Sequence, residues 1–336
     1  MFAFRILRLA AVLALSLGGA AGAQDISFFR IATGSTAGTY YPIGGLIANA
    51  ISAPPGARPC TQGGSCGVPG LVASALSSTG SVANVEAIAS GAAESAFVQG
   101  DIAAWAHSGT GIWADRPPVE KLRAIANLYP ESIHLVADRD AGIAAVTDLR
   151  GKRVSLDEPG SGTLVGAQII LAAAGLAEDD LQPQYLRLDE AAHRMKQGEI
   201  DAFFFVGGAP AGAIAELAAQ HPVTIIPIKD SLAQQIVDEH PFFTPDLLPA
   251  GTYEGQQEEI ATISVGAKWV TSADQPEKLI YAITQALWSD ATRRQLDAGH
   301  LKGRSIVKER ALEGIAIPLH PGAERFYRET GLLSAD

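Results

Sequence analysis

The stretch "FFRIATGSTAGTYYPIGGLIANAIS", residues 28–52, begins as a strand and ends as a helix. Residues 28–33 are apolar and β-branched enough for a buried strand. Over 42–52, Ile43, Leu46, Ile47, Ala50 and Ile51 recur at helical spacing on one face. Between them lies the turn Thr33-Gly34-Ser35-Thr36-Ala37-Gly38-Thr39-Tyr40. In open α/β sheets ligands bind at the carboxyl ends of strands, and a helix N-terminus offers free N–H groups and partial positive charge. Such a turn suits an anion or a polar head group. It is not a common nucleotide loop, because no Lys follows the glycines and Gly34 and Gly38 have the wrong spacing for G-x-G-x-x-G. A turn whose glycines serve geometry alone is the competing reading.

Outward from this stretch, strands and helices alternate. Strands are expected at 71–76, 94–100, 151–156, 183–188, 200–206, 223–228 and 261–270. Residues 122–138 are strand-rich with a break at Pro130. Helices are expected from Ser81 as N-cap to Gly91, after Asp101, at 163–175, 189–198 and 208–220, and over most of the chain beyond Trp269. The pattern restarts near Asp148, so the chain reads as an α/β protein with mainly parallel sheets in two lobes. The expected division is 24–137 for the first lobe, 138–258 for the second, and 259–336 returning to the first.

The chain has 336 residues, 47% hydrophobic and 18% charged, in the range of globular proteins. Residues 1–23 combine Arg5 and Arg8, an apolar run from Leu9 to Leu17, and Ala21-Gly22-Ala23, the pattern of a cleavable secretory signal with Gln24 as the new terminus. The run is too short to span a membrane. Loss of Arg5 and Arg8 takes the formal net charge from −11 to −13, which disfavours nucleic acid and anionic lipid. An exported, periplasmic location is expected. There Cys60 and Cys66, the two cysteines of the chain, would close a small Pro/Gly-rich loop as a disulfide. Gly63-Gly64-Ser65-Cys66-Gly67 matches G-x-S-x-G only formally, because that motif requires a strand before it and a helix after it.

The opening device recurs. "GKRVSLDEPGSGTLVG" is strand, then Gly160-Ser161-Gly162-Thr163, then helix. With the lobes facing each other, two N–H-rich turns converge across a cleft. Gly207-Gly208 at the end of "FFFVGG" is a third candidate turn. Asn84, in the first turn of a helix, and Gln99, at a strand's carboxyl end, add amide groups. The expected ligand residues are Ser35, Thr36, Thr39, Tyr40, Asn84, Gln99, Ser161, Gly162, Thr163 and Gly207. None of the turns contains Arg or Lys, so a carboxylate would be met by neutral donors, and a zwitterionic or uncharged polar ligand also fits. The seven histidines show neither i, i+4 pairs nor metal-ligand spacing with carboxylates. No catalytic arrangement, metal or cofactor is expected.

The segments "ATGSTAGTYYPIGG", "STGSVANVEAIASG", "LYPESIHLV", "DLRGKRVSLDEPGSGT", "GEIDAFFFVGGAP" and "HPGAERFYRE" resemble, in this order, the TAXI family of solute-binding proteins of TRAP (tripartite ATP-independent periplasmic) transporters. The resemblance runs from about residue 28 to about residue 328. It implies a two-lobed periplasmic-binding-protein fold of type II that closes around its ligand. It also implies a monomeric binder rather than an enzyme, and TRAP membrane subunits, small and large fused, as partners. The ligand it implies is glutamate, 2-oxoglutarate or a related small carboxylate or amino acid. A sensor without transport and an exported enzyme on the same fold are the alternatives.

Overall fold

A computed structural model describes residues 26–334, so the leader expected at 1–23 lies outside the described residues. The alternation of the first strand, β1 (Ser27–Ala32), is realised directly. Phe29 and Ile31 are fully buried and Phe28 points to solvent. Helix α1 (Tyr40–Ile51) lays Ile43, Ile47 and Ile51 on the same core. A short pair, β2 (Ser52–Ala53) and β3 (Val68–Pro69), flanks the cysteine loop. Then follow β4 (Leu71–Leu76), α2 (Ser81–Ala89), β5 (Ser95–Gln99), α3 (Gly100–Ser108) and the long β6 (Leu122–Asp138).

The second series is β7 (Arg153–Ser155), α4 (Gly162–Ala173), β8 (Gln182–Gln184), α5 (Leu188–Lys196), β9 (Ala202–Gly207), α6 (Gly212–Gln220), β10 (Val223–Ile226), α7 (Asp230–Glu239) and β11 (Phe243–Leu248). Strand β12 (Ile260–Ser272) and helices α8 (Glu277–Leu287), α9 (Asp290–Gly299) and α10 (Pro321–Glu329) complete the described chain. Among the described residues no helix is long and apolar enough to cross a membrane.

The main sheet runs β4-β1-β5-β12-β6-β9-β7-β8, with β10 on β6 and β11 on β12. It is parallel at both ends, where β4, β1 and β5 pair and where β8, β7 and β9 pair. It is antiparallel around β12 and β6. The core divides along these two strands. Ile125, Ala126, Leu128 and Tyr129 of β6 and Ala267 and Trp269 of β12 pack with β1, α1, α8 and α10. Ile133 and Leu135 of β6, and Ile263 and Val265 of β12, pack instead with β7, α4 and β9. The chain thus passes between two halves through two adjacent strands. The boundaries expected at 137 and 258 sit at the ends of these strands, while the change of core lies inside them.

Pro130 does not break β6. It faces Gly266 of β12, next to a register shift at Ala267/Lys268, and irregular pairing is where a residue without an N–H is tolerated in a sheet. Proline also stands in β11, at Pro245. This strand pairs only with β12 and is an edge. The Cys60–Cys66 disulfide is formed, with Cα atoms 4.6 Å apart. Ser65 Oγ bonds the Ser52 carbonyl, and a 3₁₀ turn rather than a strand precedes it, so the loop has no nucleophile geometry.

Candidate functional site

The turn after β1 and the turn after β7 face each other across one cavity. The first half supplies Ser35, Thr39 and Tyr40, then Thr79-Gly80-Ser81 before and at the start of α2, then Gln99 at the end of β5. The second half supplies Asp157, Glu158, Ser161, Gly162 and Thr163, with Leu188, Phe205, Val206 and Gly207 as a mainly apolar wall. Glu131, on the crossing strand β6, forms part of the lining. The cavity volume is about 50 Å³, room for a few waters.

Local chemistry explains why the turns hold this shape. Ser161 is the N-cap of α4, its hydroxyl accepting from Leu164 N at 3.0 Å, which leaves Gly162 N and Thr163 N without intrahelical partners. Gly162 is required by close approach, since a Cβ there would lie 2.2 Å from Gln99 Oε1 of the opposite half. Thr163 Oγ1 accepts from Val206 N at 3.1 Å, so the hydroxyl holds the strand end as well as facing the cavity. In the first turn, Gly38 N bonds Ser35 O at 3.1 Å and Ala37 N reaches Ser35 Oγ at 3.3 Å. Thr39 Oγ1 donates to Gly208 O at 2.8 Å.

Two expected ligand residues do not reach the cavity. Thr36 is at the tip of the Ser35–Gly38 turn, so the reversal of the chain directs it outward. It is exposed and lines a separate surface cleft with Pro42, His193 and Lys196. Asn84 is fully buried. Its amide donates to Thr33 O at 2.6 Å and Phe97 O at 2.7 Å, and its carbonyl oxygen accepts from Ser78 Oγ at 2.6 Å. These bonds tie α2 to β1 and β5 and leave the amide nothing to offer a ligand. The other eight, Ser35, Thr39, Tyr40, Gln99, Ser161, Gly162, Thr163 and Gly207, are brought together on the lining.

The lining also carries three carboxyl groups that the turn motifs did not suggest: Glu131, Asp157 and Glu158. Glu131 is almost wholly buried, and Tyr40 Oη donates to its Oε2 at 2.6 Å. Burial pushes its carboxyl up to about 8, against the Tyr40 bond and the more distant Lys302 and Lys268. Burial also pushes the Asp157 carboxyl up to about 7, although the residue as a whole keeps some solvent contact. Asp157 Oδ1 accepts from Glu158 N at 2.7 Å, and its backbone has φ 75°, a left-handed conformation rare outside glycine. No Lys or Arg lines the cavity. The sequence signals were present: Glu131 interrupts a long apolar strand, and Asp157-Glu158 stand where β7 ends.

Among the described residues no group of three or more His, Cys, Asp or Glu is placed to hold a metal. His134, buried at the crossing, contacts Ser132 O through Nδ1 at 3.0 Å and Tyr253 Oη through Nε2 at 2.9 Å. A carbonyl partner at Nδ1 requires the proton there, so Nε2 accepts from Tyr253, which in turn accepts from Ala211 N at 3.0 Å. Burial holds this imidazole neutral, down at about 4.

A mixed α/β chain of two halves joined by two strands, with one cavity between them, has the architecture of periplasmic solute-binding proteins. The chain belongs to the NMT1-like family, which matches residues 31–331. It is similar to a solved structure from Bordetella bronchiseptica RB50, at 15% identity and TM-score 0.52, covering 91% of this chain and 82% of that one. It is also similar to the periplasmic aliphatic sulphonate binding protein SsuA from Escherichia coli, at 15% identity and TM-score 0.43, covering 89% and 78%. A third is the amino acid ABC transporter substrate-binding protein AbpA from Streptococcus pneumoniae bound to L-arginine, at 14% identity and TM-score 0.44, covering 82% and 94%.

Proposed function

We propose that this chain is an extracytoplasmic solute-binding protein that captures a small carboxylate and delivers it to TRAP-type membrane subunits, as its TAXI-like motifs suggest. One observation carries the reading: two helix-opening turns from opposite halves face a single cavity. The first-turn N–H groups of α1 and α4 supply partial positive charge where side chains supply none. Ser35, Gln99 and Ser161 add neutral polar groups around the same space. The two halves move as lobes about the strand crossing near Pro130 and Gly266, and the ligand is released when they part. The solutes named for the solved neighbours, a sulphonate and an amino acid, are small polar molecules of the same general kind.

The test is a thermal-shift screen of the exported chain against monocarboxylates, dicarboxylates, sulphonates and amino acids. A ligand that binds only the native state raises the melting temperature by mass action. The expected result is a concentration-dependent rise with a small carboxylate, which is then recovered chemically unchanged. A rise with sulphonates alone, or with none of the panel, would sink the carboxylate reading. Conversion of the solute would favour an enzyme.

A further inference from the structure

We propose that a second cleft, behind the strand crossing, binds a small oxyanion with an apolar body, its head group held by Lys268 and Arg310. The cleft shares no lining residue with the cavity between the turns, so the proposal does not rest on the function argued above.

Strand alternation puts the two sites on opposite faces of the crossing. Glu131 lines the cavity, while its neighbour Pro130 and the facing Gly266 line the cleft. The first half contributes Gly100 at the start of α3, Asn127 of β6, and Arg310 and Glu313 from the segment before α10. The second half contributes Pro241, Phe242 and Thr244. The cleft volume is about 370 Å³, within the range of roughly 300–1,000 Å³ typical of small-molecule sites.

Lys268 of β12 supplies the chemistry. It lines the cleft yet is only 5% exposed. Its Nζ donates to Asn127 Oδ1 and to Glu313 O, both at 2.8 Å. Both partners are neutral oxygens, and an ammonium has three N–H donors, so one donor and the whole charge remain for a ligand. Burial pulls this ammonium down to about 8, against the more distant Glu131 and Glu313 carboxylates. A buried charge without a counter-ion is costly, and an anion that enters the cleft removes that cost. Glycine keeps the surroundings open. A Cβ at Gly266 would lie 2.5 Å from Nζ, one at Gly314 3.2 Å from Nζ, and one at Gly100 3.0 Å from Cε. Arg310, about half-exposed at the rim, uses Nε on Glu313 Oε2 at 2.7 Å. Glu313 is the acidic residue of the lining, and the terminal guanidinium nitrogens are left for a second oxyanion. Pro130, Pro241, Phe242 and Ile315 add apolar wall, which a bare inorganic ion would leave unused.

The test is calorimetric titration of the exported chain with three probes: benzoate, its neutral isostere benzamide, and acetate, which has the head group without the ring. Benzoate is expected to bind at least about tenfold more tightly than either of the others. Lys268→Met keeps the apolar stem and removes the donor, so it should abolish the preference for benzoate over benzamide. Arg310→Gln changes a half-exposed residue at the rim, and should weaken benzoate severalfold and leave benzamide unchanged. Neither residue lines the cavity between the turns, so loss of benzoate binding in these variants locates the probe in the cleft. Benzamide or acetate binding as tightly as benzoate overturns the inference, as does the absence of benzoate binding at millimolar concentration. Undiminished benzoate affinity in Arg310→Gln and in a folded Lys268→Met also overturns it. Should Lys268→Met fail to fold, Arg310→Gln decides alone.

Discussion

Asn84 spends its amide on two backbone carbonyls of the strands that carry the cavity and its carbonyl oxygen on the Ser78 hydroxyl. Asn84→Ala removes the amide donor from the carbonyls of Phe97 and Thr33, the latter keeping Ser78 Oγ, and loss of a buried hydrogen-bond partner costs about 1–3 kcal/mol. The variant should unfold at clearly lower urea without ligand. Thr36→Val, on an exposed turn tip, should change neither stability nor affinity. Unaltered urea stability in the first variant, or weakened binding in the second, would contradict these placements. Both residues stand beside helix starts in sequence, and their types do not separate them. What separates them is whether the neighbouring backbone faces inward, a tertiary fact. Ser161 was readable, because a serine before a helix has one common job and that job fixes its place at the turn. Glu131 was overlooked because its partner, Tyr40, lies 91 positions away.

Each series opens with the same element pair, a parallel strand and a neighbour joined by an arginine–carboxylate clamp. Arg30 of β1 bonds Glu94, just before β5, through its backbone N at 2.6 Å and its guanidinium at 2.6 and 3.0 Å. Arg153 of β7 bonds Asp201, just before β9, through its backbone N at 2.7 Å and its guanidinium at 2.6 and 3.2 Å. The repeat of strand, glycine turn and helix was legible because period and turn residues are local. Helix α7 and strand β11 were not, because β11 is a proline-containing edge strand held by β12. The bond from Arg153 holds the Asp201 carboxyl below the usual range. A depressed carboxyl contributes stability above its unfolded value, about 3.9, and loses it as pH falls through the lower folded value. Asp201→Asn should therefore melt below the parent at pH ~7, and the two curves should converge near pH ~2. A melting-temperature gap that stays constant with pH would show that the aspartate acts through shape and not through charge.

At the scale of the molecule, the two halves are bonded to each other directly. Val82 N and Ala83 N, at the start of α2, both donate to Gly160 O at 3.1 Å. Ala213 N donates to Ala37 O at 3.3 Å, and Thr39 Oγ1 donates to Gly208 O. The N-terminus of α2 thus grips the opposite half, while the first residues of α1 and α4 line the cavity. These bonds exist only while the halves are together. In an open form the same groups face water, so each bond favours closure by about 0.5–1.5 kcal/mol, a severalfold shift in the open-to-closed ratio. Thr39→Val keeps the shape of a buried side chain and leaves Gly208 O without its partner in the closed form alone. X-ray scattering of the unliganded variant should give a larger radius of gyration than the parent. Saturating ligand should return both proteins to the same value, at a higher ligand concentration for the variant. Equal radii without ligand would mean that Thr39 does not set the resting balance between open and closed, and that closure depends on the solute alone.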